Sequence, residues 1–471
     1  MRTELGSALR ANAERLGGRT ALTVYQGRHR TSLSWAELAE AAQRAAARRD
    51  ELLGQEHTIL YALDNSAAGV SGLLGALLAG VDVAVFESGS RQLRDPGSVF
   101  HTAGTRTLVA GDTAGRPDAY RVVPVDQLIA AGANTAPAGP RPAGGEVHVC
   151  QATSGSTGEP RLARQPVSNL LRGGALYRDL YGLTPDDAIV AAVPVAHSFG
   201  MVGGLFAAVV SGAALTVFTQ FNPHGLRAAV EEGATVALGT PLVYELVVRT
   251  VHPASSRLRV ALSSGGAIAA EVAAAAGQRL GAAVLQVYGS TETGLIACQL
   301  PGEQPWPAGC VGRPVRDAEL RFDDGRLLVR TATMFRGYLG DRSPVADFHD
   351  IGDLASVDGA GRLVLHGRRS AFINVGGRKV NAARVQRVVA EYHGLAESAV
   401  YGADSLGGQE VHAAVVLTGG GSVAELIAHC RSRLADYEVP HRVHELPRLP
   451  RTGMGKVDVN GLPGRSQGKD G

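Results

Sequence analysis

Hydrophobic positions in the first part of the chain change between two spacings. Across residues 5–16 they recur every three or four residues, which predicts an amphipathic helix. Short apolar runs at 21–25 and 30–33 predict two strands joined by a turn. Ser34 followed by Glu37 is typical of a capping box, so a second helix is predicted to begin there.

The same alternation of strand and helix continues along the next 230 residues. A strand at 57–63, a helix that ends near residue 79 and a strand at 81–86 predict a β-α-β unit. Further strands are predicted at 108–110, 121–125, 147–152, 189–193, 214–218, 236–238, 260–263 and 283–288, and a helix at 165–180. Buried strands that alternate with helices are the pattern of an α/β domain, in which ligands bind beyond the carboxyl ends of the strands.

The pattern changes after residue 309. Residues 309–365 are rich in short strands and tight turns, and a separate α+β unit is predicted after Gly367. We therefore expect a large N-terminal domain at 1–367 and a small C-terminal domain at 368–471.

Length and composition agree with two globular domains. The 471 residues are 45% hydrophobic and 19% charged, which suits a sizeable core. The net charge of +2 indicates no nucleic-acid-binding surface. The longest apolar run, 70–86, is broken by glycines and by Asp82, so no membrane span is predicted.

Cysteine and lysine are both scarce. The four cysteines lie far apart without the spacing of metal ligands, which predicts reduced, buried thiols in a cytoplasmic protein: Cys150, Cys298, Cys310 and Cys430. Lysine occurs only at Lys379, Lys456 and Lys469, so a lysine within a motif is informative.

One stretch, residues 152–161, combines glycines with hydroxyl side chains. Gly155 and Gly158 can adopt backbone angles closed to other residues, so the loop can turn its N–H groups toward an anion. Three hydroxyl groups add donors: Ser154, Ser156 and Thr157. The spacing differs from that of a P-loop, and a P-loop NTPase is therefore disfavoured. A simple Ser/Gly turn between strands is the alternative.

Four more motifs follow in order: Tyr288-Gly289-Ser290-Thr291-Glu292-Thr293, Asp350-Ile351-Gly352-Asp353, Gly367-Arg368 and Thr452-Gly453-Met454-Gly455-Lys456. Together with the first loop they resemble the adenylate-forming superfamily, which includes acyl-CoA synthetases, aryl-acid ligases and peptide-synthetase adenylation domains. The resemblance covers most of the chain. It implies an α/β N-terminal domain with a barrel-like portion and a small, mobile α+β C-terminal domain.

The resemblance also implies a reaction. A small carboxylic acid attacks the α-phosphate of ATP and expels pyrophosphate, and the acyl- or aryl-adenylate then passes to the thiol of CoA or of a carrier-protein phosphopantetheine. Because two anions must meet, such a site needs Mg²⁺, cations and backbone donors.

In this family the first loop binds the β- and γ-phosphates, which assigns that role to Thr153, Ser154, Gly155, Ser156, Thr157, Gly158 and Arg161. The family usually has lysine where Arg161 stands. The positive charge is kept, but the compact ammonium group is replaced by a planar guanidinium group. The adenine pocket is assigned to Ser264, Gly265, Gly266, Tyr288, Gly289 and Ser290, with Tyr288 stacked on the base.

The remaining assignments concern the α-phosphate, the metal and the ribose. Thr291 would contact the α-phosphate and Glu292 the Mg²⁺ ion, although a Glu in the first turn of a helix is the simpler alternative. Asp353 would accept hydrogen bonds from the ribose hydroxyls, and Arg368 would face the same sugar. A turn aspartate and a surface arginine are the alternatives.

Lys456 is assigned the central catalytic role. Its ammonium group would bridge the substrate carboxylate and the α-phosphate in the transition state, whereas the alternative is a solvated lysine near the C-terminus.

The second half-reaction in this family involves rotation of the small domain. Ser370 stands at the hinge position, and Gly376 and Gly377 resemble the turn that lines the thiol tunnel. Where the family commonly has a proline and two glutamates, this chain has Ala382, Arg384 and Gln386. These differences weaken the prediction of a thioester more than the prediction of adenylation.

His197 lies where many acyl-CoA synthetases have a gate beside the acyl pocket, and a structural histidine is nearly as good an interpretation. No aspartate for an amino acid's α-amine is evident near His197, and the neighbouring lining is small and apolar: Phe199, Met201, Val202, Gly239 and Thr240. This favours a neutral carboxylic acid. Two other functions stay open: adenylation with an amine acceptor or an unusual oxyanion, and nucleotide binding without catalysis.

Overall fold

The structure is a computed structural model, and it describes residues 3–54, 56–88, 98–111, 119–130, 145–153, 161–253, 255–368, 372–375, 378–405, 408–434, 436–452 and 456–464. All statements below concern these residues.

The α-helices are α1 (Glu4–Leu16), α2 (Trp35–Ala47), α3 (Arg49–Leu52), α4 (Ala67–Leu78), α5 (Val125–Ile129), α6 (Val167–Tyr181), α7 (Ala207–Ser211), α8 (Pro223–Glu231), α9 (Pro241–Thr250), α10 (Ala270–Leu280), α11 (Ala382–Ala390) and α12 (Val423–Arg431). Two short 3₁₀ segments, Val99–Ala103 and Val459–Gly461, and a π-helical segment, Phe199–Phe206, accompany them.

The strands of the first half are β1 (Thr20–Gln26), β2 (His29–Ser34), β3 (Thr58–Leu63), β4 (Asp82–Glu87), β5 (Thr107–Ala110), β6 (Arg121–Pro124), β7 (His148–Ala152), β8 (Leu162–Pro166), β9 (Ala188–Ala191), β10 (Ala214–Phe218), β11 (Val236–Gly239) and β12 (Val260–Ser263). Those of the second half are β13 (Val284–Ser290), β14 (Gly294–Cys298), β15 (Cys310–Pro314), β16 (Ala318–Asp323), β17 (Arg326–Thr331), β18 (His349–Val357), β19 (Leu363–Arg368), β20 (Phe372–Val375), β21 (Arg378–Asn381), β22 (Leu395–Ser405), β23 (Gly408–Leu417) and β24 (Arg442–Glu445).

The chain divides into two compact units. The first contains Met1–Glu319 and Val329–His349, and the second contains Leu320–Leu328 and Asp350–Gly471. The predicted boundary at 367/368 marks the start of the C-terminal segment that is expected to move as a lid. This boundary stays a prediction.

One sheet of the first unit has six strands in the order β6-β5-β3-β4-β7-β8. Strands β3 and β4 are parallel and are joined through α4, so the predicted β-α-β unit is confirmed. Strand β4 is parallel to β7, whereas β8 turns back antiparallel to β7. Strands β3 and β4 are almost completely buried, as expected for the centre of a sheet covered on both faces.

The second sheet of this unit runs in the order β15-β14-β13-β12-β11-β9-β10-β1-β2. The neighbouring pairs β13/β12, β12/β11, β11/β9 and β9/β10 are all parallel. The register places Gly239 opposite Ser263 and Ser263 opposite Gln286, so the carboxyl ends of β11, β12 and β13 meet at one edge. A ligand site is expected at that edge.

The second unit has smaller sheets. Strands β18 and β19 are antiparallel, β20 and β21 form a hairpin, and β22, β23 and β24 form a three-stranded sheet. Helices α11 and α12 contribute to a core that includes Val385, Val389, Val411, Leu426 and Cys430. This arrangement confirms the predicted α+β character.

Two local predictions need correction. The helix predicted at 165–180 begins only at Val167, because Leu162–Pro166 pairs with β7 as a strand and Pro166 is the N-cap. The π-helical segment was not predicted, since its glycine-rich sequence has no periodic apolar pattern. Within the described ranges, no helix combines the length and the apolar character needed to cross a bilayer.

Candidate active site

The glycine-rich loop leaves one strand and enters the next. Thr153 follows β7 and Arg161 precedes β8, and the Thr153 N–H donates to the Arg161 carbonyl at 2.9 Å, which closes the base of the loop. The hydroxyl of Thr153 is buried and has no partner among the described residues. A buried polar atom at the base of an anion loop fits a ligand with phosphate oxygens. Residues 154–160 lie outside the described residues, so the roles of Ser154, Gly155, Ser156, Thr157 and Gly158 stay predictions.

Thr291 and Glu292 lie at the tip of a β-hairpin. Strand β13 ends at Ser290 and β14 begins at Gly294, so the alternative of a helix N-terminus is wrong. The Ser290 hydroxyl accepts hydrogen bonds from the N–H groups of Glu292 and Thr293, both at 3.2 Å. The side chain of Ser290 therefore shapes the turn, which is a role its place in the adenine motif did not predict.

A segment that follows β17 holds this hairpin tip. Thr333 Oγ1 donates to the carbonyl of Thr293 at 2.9 Å, and the N–H of Phe335 donates to the carbonyl of Glu292 at 2.8 Å. The hydroxyl of Tyr338 donates to Glu292 Oε1 at 3.1 Å. Both the backbone and the carboxylate of Glu292 are thus fixed by the same segment.

The same segment pairs with the strand that leaves the glycine-rich loop. The N–H of Arg164 donates to the carbonyl of Gly337 at 3.0 Å, and the N–H of Leu339 donates to the carbonyl of Leu162 at 2.8 Å. Residues 331–339, which we call the clamp segment, therefore connect β8 with the turn that carries Thr291 and Glu292.

Arg161 and Tyr338 are stacked. The guanidinium carbon Cζ of Arg161 lies 3.7 Å from the centre of the Tyr338 ring. Burial, followed by the charge of the Glu292 carboxylate, raises the pKa of Tyr338, so its hydroxyl remains a neutral donor at physiological pH.

The hydroxyl of Thr291 belongs to a polar network. Ser198 Oγ lies 3.0 Å from Thr291 Oγ1 and 3.0 Å from Gln151 Oε1, and Gln151 Nε2 donates to the carbonyl of Ala196 at 2.7 Å. Gln165 Nε2 donates to the carbonyl of Thr291. Gln151 and Gln165 are only 3% and 4% exposed.

Neither the two glutamines nor Ser198 was predicted as a site residue. The available signal was Gln151, a glutamine inside the strand predicted at 147–152, because a buried amide needs hydrogen-bond partners.

His197 lies beside Glu87. Its Nε2 atom is 2.5 Å from Glu87 Oε1, and the two side chains are 35% and 30% exposed. Glu87 is the last residue of β4, and His197 lies between β9 and the π-helical segment, so this contact joins the ends of the two sheets. The structure places His197 next to the Ser198 network, while its role as a gate stays a prediction.

The predicted adenine-binding residues lie at the carboxyl ends of β12 and β13. The N–H of Ser264 donates to the carbonyl of Gly239 at 3.2 Å, and Gly265 and Gly266 are exposed. Gly265 has φ of +88°, which a side chain would strain. Tyr288 is half-buried in β13. Their common position beyond the strand ends agrees with a shared pocket.

The predicted ribose residues are paired in the second unit. Asp353 of β18 is 6% exposed and stands opposite Arg368 of β19 in the antiparallel register. Gly367 has φ of +125°, and a Cβ there would lie 3.2 Å from Ala383. The side chain of Arg368 lies outside the described residues, as do Ser370, Gly376 and Gly377.

Lys456 ends a closed loop in the same unit. Its carbonyl accepts a hydrogen bond from the N–H of Thr452 at 2.7 Å, and Arg451 pairs with Val457. Residues 453–455 lie outside the described residues, and the Lys456 side chain is exposed. An exposed ammonium group on a short closed loop suits the predicted contact with a ligand.

The described side chains also permit a test of the predicted metal. Among them, no group of three or more His, Cys, Asp or Glu could hold a metal ion. Mg²⁺ does not require such a cage, because it commonly binds one or two carboxylates together with substrate phosphates and water. The carboxylate of Glu292, which lies on the turn between β13 and β14, fits that mode of binding.

Comparison with known proteins identifies the family. The model described as AMP-binding enzyme matches residues 9–339, and that described as AMP-binding enzyme C-terminal domain matches residues 384–456. The chain belongs to the AMP-binding enzyme family. The predicted membership of the adenylate-forming superfamily is thereby confirmed.

Characterised relatives of this AMP-binding protein include two ligases. It is 32% identical over 324 residues to a methyl-dioxo-octahydroindenyl-propanoyl:CoA ligase of Mycobacterium tuberculosis, a match that covers 65% of this chain and 64% of the relative. It is 31% identical over 343 residues to indoleacetate–CoA ligase of Aromatoleum aromaticum, covering 66% of each chain. The matches thus span just under two thirds of the length of these relatives.

The fold of the AMP-binding protein also occurs in solved structures. O-succinylbenzoate coenzyme A synthetase from Bacillus subtilis, in complex with ATP and a magnesium ion, superimposes with a TM-score of 0.83 at 24% identity, covering 97% of this chain and 98% of that chain. This likeness confirms the predicted fold class, a large α/β domain followed by a smaller C-terminal domain.

Proposed function

We propose that this protein is an ATP- and Mg²⁺-dependent ligase that activates a carboxylic acid as an acyl- or aryl-adenylate and transfers the acyl group to a thiol. One observation carries the proposal. The clamp segment joins the exit strand of the glycine-rich loop to the turn that carries Thr291 and Glu292. The exit strand of the predicted anion loop, the turn that carries Thr291 and the proposed metal-binding carboxylate of Glu292 are therefore connected by hydrogen bonds. The two sequence relatives are both named as CoA ligases, which supports the same reaction.

In the first half-reaction, a carboxylate oxygen of the acid forms a bond to the α-phosphorus of ATP as the bond to pyrophosphate breaks. The Thr291 hydroxyl, held by Ser198, would donate to an α-phosphate oxygen. Glu292 would hold Mg²⁺ through the carboxylate oxygen that Tyr338 does not occupy. When bound, Mg²⁺ neutralises phosphate charge and polarises the phosphoryl group.

Three further groups are proposed to act in the reaction. The buried carboxylate of Asp353 is suited to accept hydrogen bonds from ribose hydroxyls, with Arg368 as its strand partner. Lys456 would offset the charge that develops between the acid and the α-phosphate, and a single donor of this kind accelerates other enzymes by about 10²–10³.

The acceptor is proposed to be the thiol of CoA, with a carrier-protein phosphopantetheine as the alternative source of the same group. The residues that differ from the family have local structural partners. Gln386 Nε2 donates to Ser398 Oγ at 2.8 Å, and its Oε1 accepts from the N–H of Val400 at 2.7 Å. Arg384 lies 3.6 Å from the buried carboxylate of Glu438. These contacts fix α11 against its neighbours and leave a thiol acceptor open.

The acid is proposed to be neutral apart from its reacting carboxylate. Met201 is fully buried, and the ring of Phe199 packs against that of Tyr177 with centroids 6.5 Å apart. His197 Nε2 already contacts Glu87 Oε1, so this nitrogen is not available to pair with a second carboxylate on the substrate. A cytoplasmic location is part of the same proposal.

Pyrophosphate release across a panel of carboxylic acids, with and without CoA, tests the function. We expect release to depend on the acid, CoA to stimulate turnover, and acyl-CoA and AMP to accumulate together. Glu292→Gln should raise the Mg²⁺ concentration required for half-maximal rate by at least about tenfold, because a carboxylate ligand is lost.

Glu303→Gln is the matched control, since Glu303 pairs with Arg313. Acid-dependent pyrophosphate release without any effect of CoA would favour an amine acceptor. ATP binding without release for any acid would favour a nucleotide-binding protein and contradict the proposal.

A further inference from the structure

The geometry points to a positioning role for Arg161: we propose that this arginine acts through Tyr338 to orient the Glu292 carboxylate, and that it does not act mainly as a phosphate ligand. The inference rests on the proposed function, because it concerns how the proposed metal ligand is held. It assigns a role to the position where the family usually has lysine.

The guanidinium group of Arg161 lies over the ring of Tyr338. Its carbon lies 3.7 Å from the Tyr338 ring centre, well within the distance at which a cation is attracted to an aromatic face. The Nε atom of Arg161 is buried and makes no hydrogen bond to a described residue. The planar group is therefore engaged through its face.

Tyr338 is also held by contacts on its other sides. The residue is 8% exposed, it pairs with Ala163 through a β-bridge, and the Phe335 ring packs edge-on with centroids 4.8 Å apart. Arg161 covers one face of the ring. With the ring fixed, the phenol hydroxyl has a defined direction, and it donates to Glu292 Oε1 at 3.1 Å.

The hydroxyl of Tyr338 in turn orients the Glu292 carboxylate. A hydrogen bond to Oε1 fixes the rotation of the Glu292 side chain, and Oε2 then has a defined direction toward a metal. Mg²⁺ requires near-ideal octahedral geometry, so the direction of its ligand matters more than for a larger cation. Lysine offers a compact, strongly hydrated charge without a planar face. Arg161→Lys is therefore not a conservative change here.

The test is equilibrium binding of ATP, measured by titration calorimetry on the full chain, with Mg²⁺ and with EDTA. We expect Mg²⁺ to tighten ATP binding by the wild-type protein. In Arg161→Lys and in Tyr338→Phe, this Mg²⁺-dependent tightening should fall by about threefold to tenfold, while the affinity in EDTA stays within about twofold of wild type.

The double variant is the sharpest arm. Because Arg161 acts through the Tyr338 hydroxyl, Arg161→Lys in the Tyr338→Phe background should cause no further loss of Mg²⁺-dependent tightening. Two matched controls should bind like wild type. Arg330→Lys changes an exposed arginine outside the clamp segment that lies over the Phe348 ring and pairs with Glu319, and Tyr120→Phe removes a hydroxyl that contacts His101.

Two results would overturn the inference. One is an equal loss of ATP affinity in Arg161→Lys with and without Mg²⁺, which identifies a direct phosphate contact. The other is a fully additive double variant. Failure of the wild-type protein to bind ATP under any condition would instead overturn the proposed function. The melting temperature of each variant without ligand shows that folding is retained, and Arg161→Gln provides a second substitution if Tyr338→Phe is unstable.

Discussion

Ser198 Oγ lies 3.0 Å from Thr291 Oγ1 and 3.0 Å from Gln151 Oε1. The hydroxyl group of Ser198 therefore connects the buried Gln151 with Thr291, the proposed contact of the α-phosphate. Because the Thr291 side chain is oriented by this contact, Ser198→Ala should lower the rate of adenylation about threefold to tenfold. The Michaelis constant for ATP should change less, since the loop contacts are intact. Initial rates of pyrophosphate release at varied ATP concentration measure both effects.

Ser168→Ala is a suitable control for this change, because Ser168 is a serine of α6 whose hydroxyl contacts Glu146 at 3.4 Å. An unchanged rate in Ser198→Ala, with correct folding shown by its melting temperature, would mean that Thr291 is oriented without Ser198.

The buried carboxylate of Asp187 predicts a pH-dependent contribution to stability. Burial alone would raise the pKa of Asp187, but hydrogen bonds from Thr235, Arg259 and the Thr184 N–H outweigh it and lower the pKa overall. Because the pKa of Asp187 is lower in the folded state, its carboxylate stabilises the protein at pH values above the ordinary aspartate pKa. This stabilisation is lost as the pH falls through the folded-state pKa.

Asp187→Asn should therefore reduce the free energy of unfolding at pH 7 by about 1–3 kcal/mol, because charged hydrogen bonds are lost. The difference from wild type should shrink progressively below about pH 4. Urea unfolding at a series of pH values measures it. A difference that stays constant down to pH 3 would show that the charge of Asp187 does not contribute.

The four cysteines should be unreactive in the native protein. All four are free and buried, and burial raises the pKa of Cys150 to about 12 and those of Cys298 and Cys430 to about 11. Since the thiolate is the reactive form, a thiol with a pKa near 11 is ionised in only about one molecule per thousand at pH 8.

We expect Ellman's reagent at pH 8 to detect much less than one thiol per chain within minutes, and four after denaturation in guanidinium. The denatured sample is the internal control. Rapid reaction of one thiol in the folded protein would identify an accessible cysteine and contradict the burial seen here.

The fold and the motif residues were accessible from the sequence because they depend on local patterns. Apolar runs marked the strands, the Ser34 capping box marked α2, and the order of five motifs gave the family. Tyr288, Thr291 and Glu292 could be predicted as site residues because the motif that resembles the family places them close together in the chain, and their roles stay predictions.

The supporting residues were not accessible, because their partners are distant in the chain. Tyr338 reaches Glu292 only when the clamp segment pairs with β8, and Gln151 reaches Ser198 only when the two sheets meet. No local pattern distinguishes Tyr338 or Ser198 from ordinary polar positions. The strand Leu162–Pro166 was missed for the same reason, since its strand character depends on pairing with β7.

The central claim is adenylation, and exchange of labelled pyrophosphate into ATP measures it without any acceptor. With a substrate acid and Mg²⁺ present, the account predicts acid-dependent exchange, and Lys456→Ala should reduce the exchange rate at least about 100-fold. Lys469→Ala, which removes another of the three lysines, should exchange like wild type. Exchange that persists undiminished in Lys456→Ala, or ATP binding with no exchange for any acid in a broad panel, would contradict the account.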